Sequence, residues 1–306
     1  MAEDDATITI DRPRGLRVEA DGSRDRRIED LSNLYLIHPA ARALLPVALR
    51  LGVSANAVSL SGLALGAIAA ACYARWDSAW LALLGLLFST GWMVADGLDG
   101  MIARATGTAS ATGRFLDGLC DHGVFILIYV SLAMSVGTVT GWTLAIVAGV
   151  FHAAQSSLYE GERARFQRRA KGIARTTPPV IAGNPLVRAY DRLATSIDHM
   201  ALPFERRMAS DADPVAFGRA YARDAVPIMR WMTLLSANVR IGAIFIAALL
   251  GDPALFWAFE IAILSAVAAI ALVSHRKVER GYAALSPSRP SASLFADTTS
   301  KEQDYR

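Results

Sequence analysis

The sequence predicts an all-α membrane protein with six transmembrane helices, an N-terminal interfacial amphipathic helix, and a cytoplasmic-side insert between helices 4 and 5. Three observations lead there. Of the 306 residues, 53% are hydrophobic, and the mean hydropathy is +0.33, which is more apolar than a soluble domain requires. The apolar residues fall into six blocks, approximately 56–73, 79–95, 115–136, 140–158, 229–250 and 253–274. Each is close to the length that crosses a hydrocarbon core of roughly 30 Å as a helix. Finally, the basic residues collect on one side of these blocks.

Residues 1–30 are polar and charged and are expected to be disordered, with ATITIDRP as a possible short strand. The acidic start MAEDD offers neither the basic flank nor the apolar core of a secretory signal. Residues 33–51 (NLYLIHPAARALLPVALRL) space their apolar side chains as a helix does, with Arg42 and Arg50 among them. That pattern suits a helix lying on the membrane surface, or one packed on the protein, or both. The six spans are expected as helices because backbone polar groups cannot stay unpaired in lipid. Gly62 and Gly66 form a GxxxG face in the first span and permit close helix packing.

The connections ARWDS, SVGTVTG and GDPA hold one basic residue, Arg75, whereas the other side holds Arg104, Arg114, the run RARFQRRAKGIAR and HRKVER. By the positive-inside rule that basic side is cytoplasmic, and six spans place both termini there. In a bacterium this would be the inner membrane. The six-span domain is expected over 31–280, with an insert at about 159–226 that is too long for a turn and contains candidate amphipathic helices. Residues 281–306, rich in Ser, Pro and charge, are expected to be disordered. Cys72 and Cys120 match no disulfide framework or zinc spacing and are expected to pack as small apolar residues.

The chemistry concentrates in DGLDGMIARATGTASATGRFLDGLCD, residues 96–121. Asp96 and Asp99 are three apart and share a helical face; Asp117 and Asp121 are four apart and share another. Two helices can therefore present four carboxylates to one point, where their mutual repulsion calls for a cation. Oxygen ligands favour a hard divalent ion such as Mg²⁺, Mn²⁺ or Ca²⁺. Ionisable residues at membrane depth are functional candidates in their own right. Gly97 and Gly100 allow a substrate close to the backbone, Ala103 keeps the next turn small, and Gly113 relieves crowding. Arg104 offers a fork of donors suited to phosphate oxygens. A metal pair and an arginine together suit cleavage of a diphosphate bond.

This pattern, D-x2-DG-x2-AR-x8-G-x3-D-x3-D, resembles the signature of the CDP-alcohol phosphotransferases. Asp96, Asp99, Gly100, Ala103, Arg104, Gly113, Asp117 and Asp121 match every fixed position. The stretch SANAVSLSG resembles the family's nucleotide-side segment through Asn56 and Ser59, although Ala55 stands where the family usually has Pro. The resemblance implies that Asp96, Asp99 and Asp117 hold a divalent pair, Mg²⁺ or Mn²⁺. Asp121 is then a shared ligand or, as usually assigned, the general base. It also implies that Gly100, Ala103, Arg104 and Gly113, with Asn56 and Ser59, shape the CDP pocket. The base frees an alcohol oxygen, that oxygen attacks the phosphorus distal to cytidine, and CMP leaves. The family is commonly dimeric, so a homodimer is expected, among membrane lipids and with no nucleic-acid partner.

The donor is expected to be CDP-diacylglycerol with a polar alcohol acceptor; a CDP-amino alcohol with a lipid acceptor is the alternative. Arg163 and its basic neighbours at 165, 168, 169, 171 and 175 suit a phosphorylated acceptor or an anionic lipid surface. Tyr159 and Glu160 are acceptor-site candidates. Arg240, inside the fifth span, suits the acceptor, a carboxylate partner, or snorkelling to the inner surface. His122 lies next to Asp121 but points about 100° away on a helix, which suits a structural role. A divalent-cation transporter and an inactive lipid-binding homologue are the rival classes. The carboxylates at the cytoplasmic helix ends, rather than the midplane, disfavour transport.

Overall fold

The computed structural model describes residues 8–10, 16–18, 25–175 and 201–285. Residues 176–200 of the expected insert and the expected tail beyond 285 lie outside them. Apart from a ribbon in which Ile8–Ile10 pairs antiparallel with Leu16–Val18, the described regular structure is helical. The chain divides into two units, residues 1–162 with 228–271, and residues 163–227 with 272–306.

In the first unit, a π turn over Asn33–Ile37 leads into α1, His38–Arg50. Ala41, Leu45 and Ala48 on α1 join a core with Val58, Ala95, Leu98 and Ile102, while Leu44, Val47 and Leu51 stay exposed. One apolar face thus packs on the protein and another is free for lipid, so the two readings of this helix are compatible. α2, Ala55–Tyr73, starts where the Ser54 hydroxyl accepts from the Ala57 N–H, an ordinary cap. Its two glycines set the helix spacing. A Cβ at Gly62 would stand 3.3 Å from Ala95 Cβ, and one at Gly66 would fall on the Val124 side chain.

α3, Ala79–Thr106, runs 28 residues to a left-handed cap at Gly107, φ +70°. The expected span ending at 95 therefore continues as one helix through both aspartates and Arg104. α4, Ala111–Val136, is capped by Ser110, whose hydroxyl accepts from the Gly113 N–H. α5, Val139–Ala170, extends twelve residues past its expected end at 158, so the interhelical segment starts later than expected. Residues 201–209 form α6, and α7 spans Pro214–Met232.

The expected single span 229–250 is broken. A 3-10 turn, Thr233–Leu235, ends at Ser236, whose extended backbone (φ −72°, ψ 159°) precedes α8, Ala237–Leu249. α9, Pro253–Ala258, passes through a π turn at Phe259–Leu264 into α10, Ser265–Ala283. Among the described residues, four helices are long and apolar enough to cross a membrane, with a fifth if the pair broken at Ser236 counts as one. α5 is not among them, and its apolar stretch carries His152 and Gln155. The core of the unit packs Tyr73, Trp92, Phe125, Tyr129, Phe256 and Trp257 with small residues of α2, α5 and α8.

The second unit is built around charge. Arg169 is fully buried, 4.7 Å from the Phe204 ring, with Phe166 and Tyr221 also buried. Its Nε donates to Glu205 Oε1 at 2.8 Å, and its guanidinium also binds Glu279, which pairs with Arg276. Arg168 grips both Glu205 oxygens, at 2.6 and 2.9 Å, and the Arg175 N–H donates at 2.7 Å. Burial pushes the Glu205 carboxyl up, but the Arg168 bonds and the Arg169 charge outweigh it and hold that carboxyl below its ordinary range. The guanidinium groups of Arg168 and Arg169 are thus engaged within the protein rather than presented as a free patch.

Candidate active site

Asp96 and Asp99 leave α3 on one face, and Asp117 and Asp121 leave α4 on one face, as their spacing predicts. The four meet in a small cleft lined also by Ser59, Gly62, Trp92 and Cys120. One carboxylate oxygen from each of Asp96, Asp99 and Asp117 lies within 4.8 Å of the others. Asp99 is buried and the other three are half-buried. Such crowding of oxygen donors fits a hard divalent cation, with Cys120 the one sulfur in the lining.

Two neutral donors hold the carboxylates in place. The Ser59 hydroxyl of α2 donates to Asp99 Oδ2. The Trp92 indole N–H of α3 donates to Asp121 Oδ1 at 3.2 Å. Asn56 does not line the cleft; its Oδ1 is 3.7 Å from where a Gly113 Cβ would be. The starts of α2 and α4 are thereby adjacent, and a side chain at 113 would crowd both Asn56 and Ser110. Arg104 folds back along α3, its Nη1 3.2 Å from a Cβ built at Gly100. Arg104 is exposed and Ala103 half-buried. His122 bonds back along its own helix, Nδ1 to Gly118 O at 2.7 Å.

The acceptor candidates are dispersed. Tyr159 is buried and Glu160 exposed, and neither they nor Arg240 line the cleft. Arg163 is half-buried and falls in the second unit. Of the readings open for Arg240, the structure carries the carboxylate partner. Fully buried, Arg240 donates from Nε to Glu260 Oε1 at 2.9 Å, from Nη2 to Gln155 Oε1 at 2.9 Å, and from Nη1 to Leu235 O. Gln155 in turn donates to Glu260 O and Ser265 Oγ, both at 3.0 Å. Polar residues inside three apolar segments thus find one another, and that was the signal available in the sequence. Trp92 had a signal too: it precedes Asp96 by one helical turn and so shares its face.

The model of the CDP-alcohol phosphatidyltransferase family matches residues 52–174. No match is found among curated proteins or among solved structures. The matched stretch begins just before α2 and ends just after α5, so it contains every residue of the carboxylate cleft. Over residues 52–174 the chain is therefore similar to the CDP-alcohol phosphatidyltransferase family, and its apolar helices suit a membrane.

Proposed function

We propose that this chain transfers a substituted phosphate from a CDP-linked donor, CDP-diacylglycerol, to the hydroxyl of a polar alcohol, and releases CMP. The single observation that carries the reading is the convergence of four aspartates of the matched segment in one cleft. Asp96, Asp99 and Asp117 hold the divalent cations, Mg²⁺ or Mn²⁺, with Asp121 at the edge of that set. When bound, such ions neutralise charge on the diphosphate and the leaving CMP. Ser59 keeps Asp99 turned inward, which fixes one ligand before the substrate arrives.

Arg104 offers a guanidinium fork to a phosphate oxygen at the rim. Gly100, Ala103 and Gly113, with Asn56, leave room for the nucleotide. Asp121 accepts the alcohol proton. The alcohol oxygen bonds to the phosphorus distal to cytidine as the bond from that phosphorus to the CMP oxygen breaks. No other side chain is needed as a nucleophile.

The site faces the cytoplasm, as do both termini, in a protein of six spans in which α5 and the segment broken at Ser236 also cross. The basic residues of 159–175 lie on that inner side. The protein works as a homodimer.

The test is CMP release by the purified protein with Mg²⁺ or Mn²⁺, CDP-diacylglycerol and a panel of polar alcohols, with Asp121→Asn as the control. Release that needs one alcohol and stops in the control supports the reading. Release only from a CDP-amino alcohol with a lipid hydroxyl acceptor would reverse donor and acceptor. Donor binding without release from any pair would leave a lipid-binding homologue.

A further inference from the structure

Trp92 is 3% exposed, and a buried indole must place its single N–H on an acceptor. Here the acceptor is a carboxylate 29 residues away on the facing helix, Asp121 Oδ1 at 3.2 Å. The ring has little freedom to move. Phe125, one turn beyond Asp121 on α4, meets it edge-on, with centroids 5.5 Å apart and planes at 83°. Phe125 is backed by the His152 ring of α5 at 4.2 Å. On the α2 side the glycine at 62 leaves a slot: a Cβ there would stand 3.4 Å from Trp92 Cδ1. Side chains from α4 and α5 and a bare backbone on α2 therefore hold one indole against one oxygen of Asp121.

We infer that Trp92 is a positioning residue for proton removal, because its N–H occupies Oδ1 of Asp121 and leaves Oδ2 as the oxygen that meets the alcohol. This rests on the reading above in which Asp121 is the base. The indole carries no charge, so it orients the carboxylate without neutralising it. Asp96, Asp99 and Asp117 approach one another within 4.8 Å, and Asp121, bonded to Trp92, also touches Asp96. Without the indole N–H, the Asp121 carboxylate loses the bond that fixes which of its oxygens faces the alcohol.

The experiment uses the full chain in detergent and compares wild type, Trp92→Phe and Gly62→Ala. The phenylalanine keeps an aromatic ring and loses the N–H; the alanine keeps the N–H and crowds its slot. For Trp92→Phe, kcat for CMP release should fall about tenfold or more, the magnitude of a lost hydrogen bond to a charged group. Donor KM and Mn²⁺ affinity, titrated with the metal alone, should stay within about twofold, since the three-carboxylate set does not depend on the indole. The solvent deuterium isotope effect on kcat should rise, because proton removal becomes slower relative to other steps. Gly62→Ala should show the same pattern more weakly.

Independently of turnover, the indole N–H resonance that disappears in Trp92→Phe should shift in Asp121→Asn. The inference is overturned by a Trp92→Phe kcat near wild type, by a parallel loss of Mn²⁺ affinity or melting temperature, which marks mere packing, or by an unmoved indole signal. A wild type silent with every donor, despite a shifted indole signal, would instead overturn the reaction itself.

Discussion

Removing Arg240 should cost the protein its stability before it costs the chemistry. Arg240 and Glu260 have no exposed surface, and the guanidinium also serves Gln155 and the carbonyl of Leu235, the residue just before the break at Ser236. In Arg240→Ala the Glu260 carboxylate stays buried, with the His152 ring 3.7 Å away. Breaking a buried pair by deleting one partner costs about 3–5 kcal/mol. At about 2–4 °C per kcal/mol for a domain of this size, the melting temperature should drop by about 6–20 °C. Thermal unfolding in detergent measures this. Adding Glu260→Gln to Arg240→Ala should restore part of the loss, because a neutral amide is easier to bury than a lone carboxylate. If Arg240→Ala melts like wild type while CMP release collapses, the structural pairing is not its main role, and the acceptor reading regains its force.

Gly66→Ala places a methyl on the Val124 side chain; overpacking of this kind costs about 1–3 kcal/mol, and Val124→Ala in the same chain should recover much of the melting temperature. Ser59→Ala removes the donor to Asp99 and should weaken Mn²⁺ binding about 10–100-fold by titration, the range for lost support of a metal ligand. Glu205 is held below its ordinary pKa by Arg168, Arg169 and the Arg175 N–H against the opposing effect of burial. A depressed carboxyl stabilises fully above its unfolded value, about 4.3, and loses that contribution as pH falls through the folded value. The melting temperature of wild type should therefore decline on acidification below about pH 4.3 more steeply than that of Glu205→Gln, which should already melt lower at neutral pH.

The site was easier to read from the sequence than the path of the chain around it. The aspartate spacings place Asp96 with Asp99 and Asp117 with Asp121 on helical faces whatever the exact helix ends; that the two faces meet follows from packing. Helix ends are set by subtler chemistry. Polar residues after 95 suggested that the span stops, yet α3 continues because nothing breaks it before Gly107. α5 likewise runs on through its charged turns to Ala170. The break at Ser236 was hidden because LLSANVRIGAIF reads as apolar, and the bond from Arg240 back to Leu235 O, five residues earlier, is not visible in that pattern. Partnerships such as Ser59 with Asp99, Gln155 with Glu260 and Trp92 with Asp121 span 40, 105 and 29 residues. No local pattern specifies separations of that kind; they follow from packing.

One property of α3 reaches further. Asp96, Asp99, Gly100, Ala103 and Arg104 ride on a single uninterrupted helix. Arg104 follows Asp96 by eight residues, which at about 1.5 Å per residue sets their backbones about 12 Å apart along the axis. A continuous hydrogen-bonded rod has no hinge with which to change that interval. It works as a gauge. Because Arg104 folds back toward Gly100, its guanidinium lies nearer the carboxylates than its own backbone does, so in the proposed reaction any adjustment between them falls to the arginine side chain and the ligand rather than to the helix.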